Sequence, residues 1–380
     1  VTQRRLNGFL TPFSDLNAHS RRVLSVRALR PVLSVLLIAL AAALTIAAAS
    51  SRGTGTVARA AEPTYARSLA DHVTVLQPKR LQQAEIAWRG GPILTSTGET
   101  VNVLVSETFA PESVTPEGWA EFLVKLVHGP ELAQLTTYIA PLAEIRLVCG
   151  SGALGCYSRN RSVSVGEALP DGTTPEEVVR HEYGHHIALY RSNDPWRAID
   201  WGPKRWASSA NVCARVARGE AFPGNEAENY QQNPGEAWAE AYRLMDERKN
   251  GITTGSWQVV APSFYPSEAA LQAAELDVAQ PWAAGGQSVY RRNVGKGRTW
   301  FIPLSTPLDG SISVRITLPR GGTHDTALVA SNRRRVLERA FSGGARTRTI
   351  AGEICGQRTV FVRVTQSGKA GPVSVVVAKP

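Results

Sequence analysis

Residues 174–190 read TPEEVVRHEYGHHIALY, and how this stretch folds decides how the rest of the chain is understood. Thr174 can cap a helix, Pro175 suits a first helical position, and Glu177, three residues after the cap, completes a capping box. A helix is therefore expected to start where the following residues need one. Within it His181, Glu182 and His185 form H-E-x-x-H, and the four-residue interval stacks both imidazoles on one helical face about one turn apart. Two ring nitrogens can then reach a single Zn2+ ion. Glu182, next in sequence to the first of them, leans toward the same cavity without joining the ligands, where it can take a proton from a water.

The pattern also arises by chance, so a third ligand has to discriminate. A metzincin would carry a glycine three residues and a histidine six residues after the second histidine. Ala188 and Arg191 stand there, which excludes that class. Downstream, residues 233–244 read NPGEAWAEAYRL, again a cap residue, a Pro in the first turn and an acid at the third position, with Glu236 and Glu240 four apart on one face. Alone, this helix allows Glu236 to be a capping-box residue and Glu240 a solvated surface acid. Set beside the histidine helix, it supplies a carboxylate that completes a three-ligand site with one position open, the arrangement of catalytic zinc.

HEYGHH followed by GEAWAEAYRL resembles the gluzincin class of zinc metallopeptidases, and within it the branch that includes the anthrax lethal factor. The resemblance implies a zincin-like catalytic domain in which Glu236 joins His181 and His185 as the metal ligands and Glu182 acts as general base. It implies that Glu240 orients a ligand histidine through its other ring nitrogen. It further implies that a tyrosine donates to the oxyanion. Tyr230 stands in a comparable place, with Tyr242 as its rival. His186 is open to two readings, a donor behind the ligands or an extra surface histidine. In that class a sheet edge receives the extended peptide, and the strand expected over Arg161–Val165 is in the place to provide it. Trp196, Trp201 and Trp206 are read as packing residues ahead of a subsite lining.

The chain has 380 residues, too many for one ordinary core, and 43% hydrophobic with 19% charged residues excludes disorder. Its net charge of +10 is unevenly spread: +7 over 1–60, −9 over 61–284 and +12 over 285–380. An acidic central body argues against a nucleic-acid enzyme. Basic residues up to Arg30 precede the uncharged run 32–49, and Ala58 and Ala60 offer a small-residue cleavage site. Residues 1–60 are thus a signal peptide or a membrane anchor, and the protein is secreted or extracellular, or held at the membrane by 32–49.

Helical spacing is expected over Leu69–Trp88 and Thr115–His128, and strands over Thr100–Ser106 and Glu144–Val148. With export, Cys149 and Cys156 are expected to pair across a Gly-rich turn, and Cys213 and Cys355 either to bridge two domains or to stay reduced. From Ser288 onward, short alternating runs read as an all-β module that resembles the bacterial pre-peptidase C-terminal β-sandwich. His324-Asp325-Thr326-Ala327 replaces that family's acidic run, so no calcium site is expected.

The reading is an α+β protein with a zincin-like domain over 61–284 and a β-sandwich over 285–380. Its expected activity is hydrolysis of a peptide or protein substrate. The alternatives are a non-catalytic surface-binding protein on the same scaffold and a zinc amidase acting on wall peptides. The basic module is open to three readings: docking onto the acidic domain, adhesion to an anionic cell-wall polymer, or solubility. Oligomeric state is left unassigned.

Overall fold

The computed structural model describes residues 85–380 apart from 258, 322 and 341–345, and these fall within one unit, Glu62–Pro380. The N-terminal readings over 1–60 and most of the expected helix over Leu69–Trp88 lie outside the described residues. Among the described residues no helix is long and apolar enough to cross a membrane. Mixed helices and strands are followed by two all-antiparallel sheets, which makes the fold α+β.

The first sheet has five strands: β1 (Trp88–Leu94), β2 (Thr100–Ser106), β3 (Thr136–Ala140), β4 (Gly155–Ser158) and β5 (Arg161–Val165), in the order β1-β2-β3-β5-β4. β2, β3 and β5 run parallel, and β1 and β4 pair antiparallel at the two edges. The alternation in TVNVLVS buries Val101, Val103 and Val105 as expected. β5 is not the edge. It lies between β3 and β4 and is buried on both faces at Ser162–Val165, as an interior strand must be.

Two other expectations are corrected. Residues 144–148 belong to helix α2 (Leu142–Cys149), not a strand, because Ile145, Val148 and Cys149 recur at helical spacing and turn together into the core. Helix α1 (Pro116–Leu123) keeps its Thr115 cap but stops short of His128. Val127 hydrogen-bonds elsewhere: its N–H donates to Asp246 Oδ1 at 2.7 Å and its carbonyl accepts from the Tyr242 hydroxyl at 2.9 Å. Tertiary partners thus take the backbone groups that a longer helix would use.

Helix α3 (Pro175–Leu189) packs across β4 and β5 and carries the capping box read from its sequence: Thr174 Oγ1 accepts from Glu177 N, and Glu177 accepts from Thr174 N. The chain then makes the two-residue strands β6 (Ser192–Asn193) and β7 (Trp196–Arg197) and the short helices α4 (Ala198–Trp201), α5 (Lys204–Ser209) and α6 (Val212–Ala217). The long helix α7 (Pro234–Lys249) and then α8 (Glu268–Ala279) follow. Trp206 is buried against Trp238 of α7, with ring centroids 5.8 Å apart, and Trp196 stacks on Trp201 at 4.6 Å. The first of these contacts is core packing.

β8–β15 form two four-stranded sheets, β13 (Thr347–Ile354), β10 (Gly310–Thr317), β15 (Gly371–Ala378), β8 (Ser288–Val294), and β12 (Val336–Arg339), β11 (His324–Ala330), β14 (Thr359–Gln366), β9 (Thr299–Ser305). Their inward Ile312, Val314, Val362, Val364, Val375 and Val377 make a core separate from that of the helical part.

Both expected cysteine pairs are disulfides. Cys149–Cys156 ties the end of α2 to edge strand β4, and Cys213–Cys355 joins α6 to the β-module. Beside it, Asp309 N donates to Ser208 Oγ at 2.9 Å and an Arg358 guanidinium N–H to Ser208 O at 2.8 Å. Among the described residues no ion pair crosses this junction. Arg358 pairs with Asp309 of its own module.

Candidate metal centre

α3 and α7 can approach closely because each presents a small residue at the crossing. A Cβ added to Gly184 would lie 2.8 Å from the Ala239 Cα, and Trp238 Nε1 donates to the Gly184 carbonyl at 2.7 Å. One turn to either side, this approach brings the histidines of one helix onto the acids of the other. Gly184→Ala is expected to force the helices apart, lower the thermal midpoint in line with the roughly 1–3 kcal/mol of overpacking, and weaken zinc affinity. Calorimetry together with a competitive zinc titration reads both, and an unchanged affinity would refute the spacing argument.

His181, His185 and Glu236 converge, with one donor atom from each lying within 4.8 Å of the others. His181 Nε2 is 3.3 Å and His185 Nε2 3.6 Å from the same oxygen, Glu236 Oε2. Donors at about 2.0–2.1 Å from a tetrahedral ion stand about 3.3 Å from one another, so the spacing fits zinc. The chemistry of the set fits as well. Glu236 is fully buried, no Lys or Arg among the described residues pairs with it, and its Oε1 has no hydrogen-bond partner there. A buried carboxylate without a cation is costly, and a divalent ion would supply the missing charge.

The cap reading of Glu236 does not hold. Asn233 caps α7 by accepting from Gly235 N at 3.0 Å, while the Glu236 carboxylate turns inward to the histidines and to the Tyr230 hydroxyl, which donates to Oε2 at 2.8 Å. Glu182 is buried next to β4 at Gly155, where any side chain would run into its carboxylate. Gly155 therefore leaves room for Glu182, a reason that the Gly-rich run 150–155 does not disclose.

Glu240 is also buried, not a surface acid. It lies 3.9 Å from His181 Nδ1, longer than a hydrogen bond, and accepts from Arg243 at 2.8 and 2.9 Å and from Trp257 N at 2.7 Å. Sequence reasoning does not single out Arg243 or Trp257. The Arg243 guanidinium bonds both Glu247 oxygens and the Gly255 carbonyl and lies 4.6 Å over the Trp257 ring. Trp257 in turn stacks on His181 with centroids 5.5 Å apart. Glu240, Arg243 and Glu247, spaced three and four apart, are the available signal for an internal ion network. Nothing in residues 250–257 marks Trp257 as a wall of the site.

Tyr242, the rival to Tyr230, lies elsewhere. Burial pushes its hydroxyl well above the usual range, and it donates to Val127 O. His186 is neither a surface residue nor a donor behind the ligands. Its Nε2 donates to Glu131 O at 2.8 Å, its Nδ1 accepts from Tyr157 at 3.0 Å, and burial lowers its pKa to about 4, so it stays neutral. Arg191, where a metzincin would place its histidine, forks onto Glu131 at 3.1 Å in the core.

No protein-family model matches this chain, and no curated protein matches it. Among solved structures, the pre-peptidase C-terminal domain of collagenase from Bacillus anthracis is similar at 8% identity and a TM-score of 0.20, covering 24% of this chain and 88% of that one. PliG from Aeromonas hydrophila, a periplasmic lysozyme inhibitor of g-type lysozyme, is similar at 12% identity and a TM-score of 0.20, covering 24% and 84%. Likenesses this slight bear on no residue of the site.

Proposed function

We propose that this protein is an exported zinc-dependent endopeptidase of gluzincin type. The observation that carries the reading is the meeting of His181, His185 and Glu236 on two helices with Glu182 beside them. When bound, Zn2+ would lower the pKa of a water at the open fourth position and polarise the scissile carbonyl. Glu182 would accept the water proton on its carboxylate and later deliver it to the leaving amine. The Tyr230 hydroxyl would transfer its one hydrogen bond from Glu236 Oε2 to the oxygen that gains charge as the tetrahedral intermediate forms. Glu240, which accepts from Trp257 N, would keep the Trp257 ring stacked against the His181 imidazole. Two disulfides accord with an oxidising compartment.

Elemental analysis of the purified full chain is expected to find about one zinc per molecule. Casein or peptide cleavage should disappear with a chelator and return with added Zn2+. Absence of bound zinc, or cleavage indifferent to the chelator, would overturn the reading.

A further inference from the structure

The outer face of the β13-β10-β15-β8 sheet is made of side chains that the sandwich core does not use. In register across the strands stand Thr347, Thr317, Ser374 and Arg291, and one pleat repeat along, Thr349, Arg315, Val376 and Val289. A shallow depression of about 420 Å³ is lined by Arg291, Arg292, Arg346, Thr317 and Ser374. A second, of about 260 Å³, is lined by Arg315, Thr349, Ser313 and Gln287. Both open on this face.

Three observations give the face a partner. First, its charge is unspent: among the described residues no carboxylate pairs with Arg291, Arg315 or Arg346, whereas on the other sheet Arg339 and Arg363 both bind Asp325. The single acid of the face, Glu353, stands at its far corner opposite Ser311. Second, the groups between these arginines are hydroxyls and small aliphatic side chains, Val289 and Val376 among them, with no aromatic ring lining either depression for a nucleobase to stack on. Third, the contacts to the helical part, at Asp309 and Cys355, lie at the Gly310 end of β10, and the arginines lie toward its Thr317 end. Docking therefore leaves them open.

We infer that this sheet face binds a carboxylated polysaccharide. Guanidinium forks match carboxylates two bonds at a time, and the Thr317, Ser374 and Thr349 hydroxyls among them suit sugar hydroxyls. Arg291 and Arg315 sit on strands two positions apart, about 10 Å laterally and one pleat repeat apart along the strands, so that one extended chain of sugars can meet both. The inference is independent of the peptidase reading.

The test is a binding titration of the full chain against polygalacturonate at low ionic strength, with neutral dextran, duplex DNA and anionic phosphatidylglycerol vesicles alongside. Wild type is expected to bind polygalacturonate, to lose binding as salt screens the charges, and to ignore dextran. Combined Arg291→Gln, Arg315→Gln and Arg346→Gln should weaken binding about tenfold or more at an unchanged thermal midpoint. Arg315→Glu alone should weaken it several-fold, and Arg334→Gln with Arg335→Gln, on the opposite sheet, should not. No binding by wild type, equal loss in the opposite-sheet pair, or DNA or vesicles bound as well as polygalacturonate would each overturn the inference.

Discussion

Glu182→Gln is expected to leave zinc in place and to reduce peptide cleavage by roughly 10²- to 10⁴-fold, the range that a positioned general base contributes. The amide has nearly the volume of the carboxylate, so the tight fit against Gly155 survives and the fold is not the variable. What changes is the ability to take a proton. Because His181, His185 and Glu236 are untouched, the metal content of the variant should match wild type, and the comparison separates proton transfer from metal binding in a single pair of measurements. Cleavage at the wild-type rate by Glu182→Gln would remove Glu182 from the chemistry while leaving the metal site standing.

Glu236→Ala is expected to do the reverse and release the metal. Partners behind the ligands cost about 10–100-fold in affinity when lost, and removal of one of only three ligands should exceed that. Elemental analysis after dialysis reads the outcome directly. The variant also leaves the Tyr230 hydroxyl without its 2.8 Å acceptor, so Tyr230→Phe is the control. That control should weaken zinc binding by no more than the roughly 10–100-fold of a lost hydrogen bond to a ligand, and so hold more metal than Glu236→Ala, because it removes no donor to the ion. Zinc retained at wild-type affinity by Glu236→Ala would mean that the two histidines bind it with some other group.

The parts of this site that are legible in the sequence are those set by local geometry. A capped helix fixes where His181 and His185 point, and the same applies to Glu236 and Glu240 on α7, so residue spacing alone places four side chains. The meeting of the two helices is not local; its expectation comes from the need of two histidines for a third ligand, and the resemblance adds to it. Its physical cause, Gly184 against Ala239, looks in sequence like any glycine in a helix. Arg243 and Trp257 are hidden for a related reason: a charged residue on a helix and a tryptophan in a loop reveal a role only when tertiary contacts are known. The strand expected over Glu144–Val148, where a helix stands, shows the limit of a five-residue apolar window, which fits either period. His186 escapes both of its readings because a third histidine on a metal helix reads as spare until its two buried partners are seen.

The bridge between Cys213 and Cys355 spans 142 positions of sequence and encloses the exposed stretch that follows α8. An exposed connector of this kind is a preferred site of proteolytic nicking. If a protease severed the chain between Gln280 and Gln287, the fragments would still migrate as one species until a reductant was added. Such a nick would thus go unseen on a non-reducing gel, and the β-module would stay attached to the helical part.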